Sequence, residues 1–93
     1  MSTITKSKIS SQVEEILSKP YILILHNDDF NSFDWVIECL IKICKHEFTQ
    51  ASQCAHIVHF TGKCDVKRGD HELINEMYNK LKNCGLTVSM EIA

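Results

Sequence analysis

Residues 21–30 read YILILHNDDF, and the rest of the chain is organised around the change of chemistry halfway along them. The first five residues are apolar without a break, with Tyr21, Ile22 and Ile24 aromatic or β-branched, the pattern of a short strand covered on both faces or central in a small sheet. Asn27, Asp28 and Asp29 end that strand with an amide and two adjacent carboxylates. Such side chains accept hydrogen bonds from nearby backbone N–H groups and can simply close a turn. Adjacent carboxylates beside an apolar surface can equally take charge-assisted hydrogen bonds from an ammonium group. Both readings are open at this point.

Downstream, Phe33, Val36, Ile37, Leu40, Ile41 and Cys44 recur at helical spacing, with Asn31 or Ser32 placed to cap and Asp34 in the first turn. This predicts a helix from residue 33 to about 46. A second helix is expected from about residue 49, carrying Phe48, Ala51, Cys54, Ala55 and Val58 on one side until Gly62, a residue suited to the position just past a helix end. Residues 63–67 alternate, with Cys64 and Val66 on one face, and read as a strand. Asp70 then caps a third helix through Leu73, Met77, Leu81 and Cys84 to Gly85, and Leu86, Val88, Met90 and Ile92 alternate to the end. The order β-α-α-β-α-β predicts a small two-layer α/β (α+β) sandwich, a three-stranded, mainly antiparallel sheet with three helices on one face. Residues 1–19 are rich in Ser, Thr and Lys, with an apolar patch only at Val13, Ile16 and Leu17, and are expected to form a flexible arm ahead of a core domain at 20–93.

Composition narrows the function. A chain of 93 residues has room for one compact core. Its net charge of −2 and single arginine, Arg68, argue against a surface that tracks phosphates, so no nucleic-acid partner is expected. No apolar run approaches the roughly 20 residues that span a bilayer, and the opening MSTITKSKIS lacks the apolar core of a signal peptide, so no membrane partner and a cytoplasmic location are expected. The five cysteines form no C-x-x-C pair, and reduced, buried thiols fit them best. Cys54, His56, His59 and Cys64 match the spacing of no standard zinc finger, so no metal is expected. With no Gly-rich phosphate loop, nucleophile elbow or Ser-His-Asp order, the chain reads as neither an enzyme nor a cofactor binder. His59 stands at the end of the second helix, either closing it as a partly buried residue or facing a site.

LHNDDF (residues 25–30), the helix containing WVIECL (residues 35–40) and IVHFTGK (residues 57–63) together resemble the ClpS family of adaptors for Clp ATP-dependent proteases. The likeness runs without gaps over residues 21–63 and resumes in the last strand. It implies a monomeric adaptor that binds the free N-terminus of N-degron proteins beginning with Phe, Tyr, Trp or Leu. It further implies docking on the N-terminal domain of a Clp ATPase of the ClpA or ClpC type, with delivery assisted by the arm. On the resemblance, Asn27, Asp29 and His59 match the positions that hold the α-amino group, and Asp28 matches the second acidic position of the motif. Asn31, Phe33, Val36, Ala55, Val58 and Leu86 match the side-chain pocket, and Glu72 matches a position that docks the ATPase.

Two residues depart from the family pattern. Phe33 stands where a gate methionine is common, and Ala55 where a pocket methionine is common, so one swap narrows the entrance and the other deepens the floor. A different reading is a small α/β interaction module, similar to the C-terminal domain of the ribosomal stalk protein, that binds another protein through helix faces. Such a module has no need of acceptors around a pocket.

Overall fold

The computed structural model describes residues 12–15 and 18–93. Its elements are strand β1 (Tyr21–His26), helices α1 (Phe33–Cys44) and α2 (Phe48–Thr61), strand β2 (Lys63–Gly69), helix α3 (His71–Asn83) and strand β3 (Thr87–Ile92). This is the expected order. The flexible arm expected over residues 1–19 falls largely outside the described residues; residues 12–15 within it are helical and exposed.

The three strands lie in the order β2-β1-β3 with both pairings antiparallel, so YILIL occupies the centre of the sheet. That position explains its unbroken apolar run. Leu23 and Leu25 project into the main core, while Ile24, on the other face, is buried as well, with Asp65 of β2 and Ser89 of β3 opposite it. The β1–β2 register shifts between Leu23 and Ile24, where a bulge bends the strand. All three helices contribute to the same core, through Leu40 of α1, Val58 of α2 and Ile74 and Leu81 of α3. Removing one such buried Leu or Ile side chain costs roughly 2–5 kcal/mol.

Three details differ from the periodicity. Helix α1 stops at Cys44 rather than 46, because Lys45 turns into the left-handed region at φ 61° and the following His46 N–H closes on the Leu40 carbonyl at 3.3 Å. His46, expected in the helix, is buried instead, and its Nε2–H donates to the Val66 carbonyl at 2.6 Å. On α3 the inward residue is Ile74 and not Leu73: Ile74, Met77 and Leu81 share one stripe, and Leu73 sits about 100° round the helix from Ile74. Leu73 packs over Gly69, where an added Cβ would stand 2.8 Å from its Cδ2. The five cysteines are all free; Cys39, Cys44 and Cys54 are buried and Cys64 and Cys84 half-buried. Burial, reinforced by the neighbouring thiols Cys84 and Cys54 respectively, pushes Cys39 and Cys64 up to about 12, and burial lifts Cys44 to about 11. Among the described residues, no helix is long and apolar enough to cross a membrane.

Candidate functional site

The site begins where β1 ends. Asn27 extends the strand by one bond, its N–H donating to the Gly62 carbonyl at 2.9 Å. Gly62 has φ 99°, a conformation that glycine adopts freely, and there it terminates α2 and turns the chain toward β2. The end of α2 is thereby pinned to the first residue of the Asn-Asp-Asp sequence. His59, one turn back along the helix, comes to line the same cavity as the loop.

Asp28 organises that loop. Its carboxylate accepts hydrogen bonds from the backbone N–H groups of Phe30 and Asn31 and from Asn31 Nδ2, each at 2.9 Å, and from the Thr87 hydroxyl at 3.3 Å. Partial burial works against its charge, but the bonds from Asn31, Phe30 and Thr87 outweigh it, so the carboxyl titrates below the usual carboxylate value. Asn31 Nδ2 also donates to the Gly85 carbonyl at 3.0 Å, and Trp35 Nε1–H to the Cys84 carbonyl at 3.0 Å, so the loop and the start of α1 are tied to the turn between α3 and β3. Of the two cap candidates, Ser32 caps α1, accepting from the Trp35 N–H at 3.1 Å. Among the described residues, the side chains of Asn27, Asp29 and His59 have no hydrogen-bond partner, and all three residues are exposed.

A cavity of about 370 Å³ opens between this loop, α1 and α2. Its rim carries Asn27, Asp28, Asp29, Asn31 and His59, and its apolar lining comes from Leu25, Phe33, Val36, Ala55 and Val58. The residues singled out in the sequence thus fall together, with two exceptions. Leu86 lies in the core at 4% exposure, because the turn at Gly85 aims it inward beneath α3, and it does not line the cavity. Glu72 is exposed in the first turn of α3, an element that contributes nothing to the lining. Leu25, His26 and Ser32 line the cavity without having been singled out; a strand's last inward residue and a helix cap flanking a motif are the signals that could have found them.

Phe33 sits in the first turn of α1 with its ring 40% exposed, so it belongs to the mouth and not to the core under the sheet. Its centroid lies 5.1 Å from the His56 ring at 21° and 5.2 Å from the His59 ring at 61°. His56 and Phe60, which the sequence reading did not assign to the site, therefore border it. On another side of α1, Asp34, Ile37, Glu38, Ile41, Lys42 and Phe48 line a second, more open hollow of about 470 Å³. Among the described residues no group of three His, Cys, Asp or Glu side chains is placed to hold a metal ion.

This geometry has known relatives. Residues 17–89 match the family model described as ATP-dependent Clp protease adaptor protein ClpS. The adapter protein ClpS of Nostoc sp. is 31% identical over 88 residues, covering 94% of this chain and 90% of its own. That of Synechocystis sp. is 32% identical over 88 residues, covering 94% and 89%. Among solved structures, Agrobacterium tumefaciens ClpS2 bound to L-phenylalaninamide superposes with a TM-score of 0.70 at 20% identity, covering 81% of this chain and 98% of that one, which shows a shared fold. The chain therefore belongs to the ClpS family: it is an adaptor of the ATP-dependent Clp protease and not itself a catalytic enzyme.

Proposed function

We propose that the chain binds the free N-terminus of proteins that begin with Phe, Tyr, Trp or Leu, and delivers them to a Clp ATPase through that ATPase's N-terminal domain, of the ClpA or ClpC type. One observation carries this reading: acceptors without hydrogen-bond partners among the described residues, Asn27, Asp29 and His59, rim a cavity whose lining is apolar. A first residue has an ammonium and a side chain on the same carbon, and both needs are met within one opening. The volume falls in the roughly 300–1,000 Å³ range of small-ligand sites. The Agrobacterium protein's ligand, L-phenylalaninamide, pairs a free amine with a bulky apolar side chain, in keeping with this chemistry. In the proposal the protein acts as a monomer in the cytoplasm, Glu72 contributes to docking and residues 1–19 take part in delivery.

The test is a pair of peptides beginning with Phe, one with a free amine and one N-acetylated. Each charged hydrogen bond contributes about 1.5–3 kcal/mol, so the acetylated peptide is expected to bind at least a hundredfold more weakly. Equal affinities would end the proposal. The hollow along α1 favours a second reading, an interaction module that binds through a helix face, since it exposes Ile41 and Phe48 beside Ile37. Under that reading neither peptide binds, and Ile41→Asp abolishes capture of the Clp ATPase.

A further inference from the structure

Beyond the first residue, we propose a second subsite: the exposed aromatic surface that Phe60 presents on α2 takes an aromatic or large apolar side chain at position two of the bound peptide. The inference rests on the amine-and-pocket reading above. A first residue whose nitrogen is held by Asn27, Asp29 and His59, and whose side chain fills the cavity, has only one direction left for its carbonyl, outward across the rim. The next Cα lies 3.8 Å further on, so its side chain reaches whatever the rim presents.

On the α2 side the rim presents rings. His56 stacks on Phe33 at 5.1 Å and 21°, and Phe60 lies 6.5 Å from His56 at 22°, so that with His59 the four rings form one cluster. The cluster is held in place from within. His56 Nδ1–H donates to the Ser52 carbonyl at 2.8 Å, which fixes that ring against its own helix, and Phe60 rests edge-on against His59 at 4.9 Å and 82°. The Phe60 ring is left uncovered, being 76% exposed, and Phe30 on the facing loop is 95% exposed. Exposed rings continuous with an apolar cavity mark a surface that something covers. Here the occupant is the part of the ligand that the cavity cannot enclose, and aromatic side chains prefer stacked or edge-on partners at these separations.

The experiment titrates the full chain with free-amine peptides that differ only at position two, Phe-Trp against Phe-Gly, and with L-phenylalaninamide, which has no second residue. The Trp peptide is expected to bind about three- to tenfold more tightly, the factor that one aromatic contact supplies. Phe60→Ser should bring that ratio close to one and leave L-phenylalaninamide binding unchanged, while Phe60→Leu should keep part of the preference. A ratio unaffected by Phe60→Ser overturns the subsite. So does an equal loss for L-phenylalaninamide, which would assign the ring to holding His59, and so does a preference abolished only in the presence of the Clp ATPase, which would assign the ring to that partner. Failure of every free-amine ligand, L-phenylalaninamide included, would instead remove the underlying pocket reading.

Discussion

The loop wall of the cavity is held by hydrogen bonds, four of them ending on the Asp28 carboxylate, whereas the α2 wall is held by the packing of Ala51, Cys54 and Val58 into the core. Within the loop the same contrast recurs between neighbours. Asp28 is bonded on both oxygens; Asp29, one residue on, is exposed and without a partner among the described residues. A carboxylate that shapes the site and a carboxylate that stays available to a ligand are thus adjacent in the chain. In the proposal, the two readings left open by the sequence, turn chemistry and a cation site, are divided between them.

Substitution of each aspartate tests that division. Asp29→Ala is expected to weaken binding of a Phe-initiated peptide by at least about tenfold, since it removes a charged acceptor contributing about 1.5–3 kcal/mol. Its melting temperature should hardly move, because an exposed carboxylate without partners contributes little to stability. Asp28→Ala should do the reverse in kind: it unmakes the loop and leaves the Asn31 amide short of an acceptor, at a cost of about 1–3 kcal/mol, or a fall in Tm of roughly 5–15 °C. Equal melting temperatures for the two variants would dissolve the distinction.

Much of this was legible beforehand. Element order followed from the switch between two-residue and helical periodicity, and YILIL read as a strand covered on both faces or central in the sheet because its side chains are apolar on both alternations. The division between Asp28 and Asp29 was not legible, since both offer the same acceptors and only the backbone path decides which one faces Phe30 and Asn31. Leu86 could not be separated from the pocket residues because its direction depends on the turn at Gly85. Leu73 and Ile74 are adjacent and equally apolar, so the phase of the α3 stripe was ambiguous until the sheet was in place. The place of His56 beside the site was not legible because its neighbour Phe33 lies 23 positions away in sequence and meets it only through the packing of α1 on α2.

The Asp28 loop and the thiols packed in and against the core should respond to opposite extremes of pH. Folding lowers the pKa of Asp28, so the ionised form is favoured in the native state. That contribution is present above the ordinary carboxylate pKa of about 3.9 and is lost as the pH falls through the lower folded value. Asp28→Asn should therefore flatten the acid limb of a plot of Tm against pH. Folding raises Cys39, Cys44 and Cys64 from 9.0 to between about 11 and 12, chiefly through burial, so these thiols are favoured neutral. Their contribution is full below pH 9 and is lost as the pH rises toward the folded values, so stability should decline on the alkaline side as well. At neutral pH the same three thiols should react with iodoacetamide far more slowly than in the unfolded chain, because the thiolate is the nucleophile. Labelling at the unfolded rate, with native circular dichroism retained, would break this half of the comparison.

The smallest expected effect concerns the residue that joins the two walls. Phe33 springs from the loop side, in the first turn of α1, and its ring meets His56 and His59 of α2 at 5.1 and 5.2 Å. Long side chains in a first helical turn lean back toward the preceding loop, which places this ring over the opening. A first residue that branches at Cβ must pass the ring at its widest point, whereas Leu, Phe and Tyr carry a slim CH₂ past it before they broaden. Peptides beginning with Leu or Phe should therefore bind more tightly than those beginning with Ile or Val, by about 1 kcal/mol for a steric difference of one methyl position. Phe33→Ala removes the crowding atoms and leaves Asn27, Asp29 and His59 in place, so the ratio of Leu to Ile affinity should shrink. Because the ring is 40% exposed, the variant should lose much less than the roughly 3–5 kcal/mol of a buried Phe→Ala change. A large fall in Tm with an unchanged Leu-to-Ile ratio would mean that Phe33 braces α1 against α2 and takes no part in selecting the ligand.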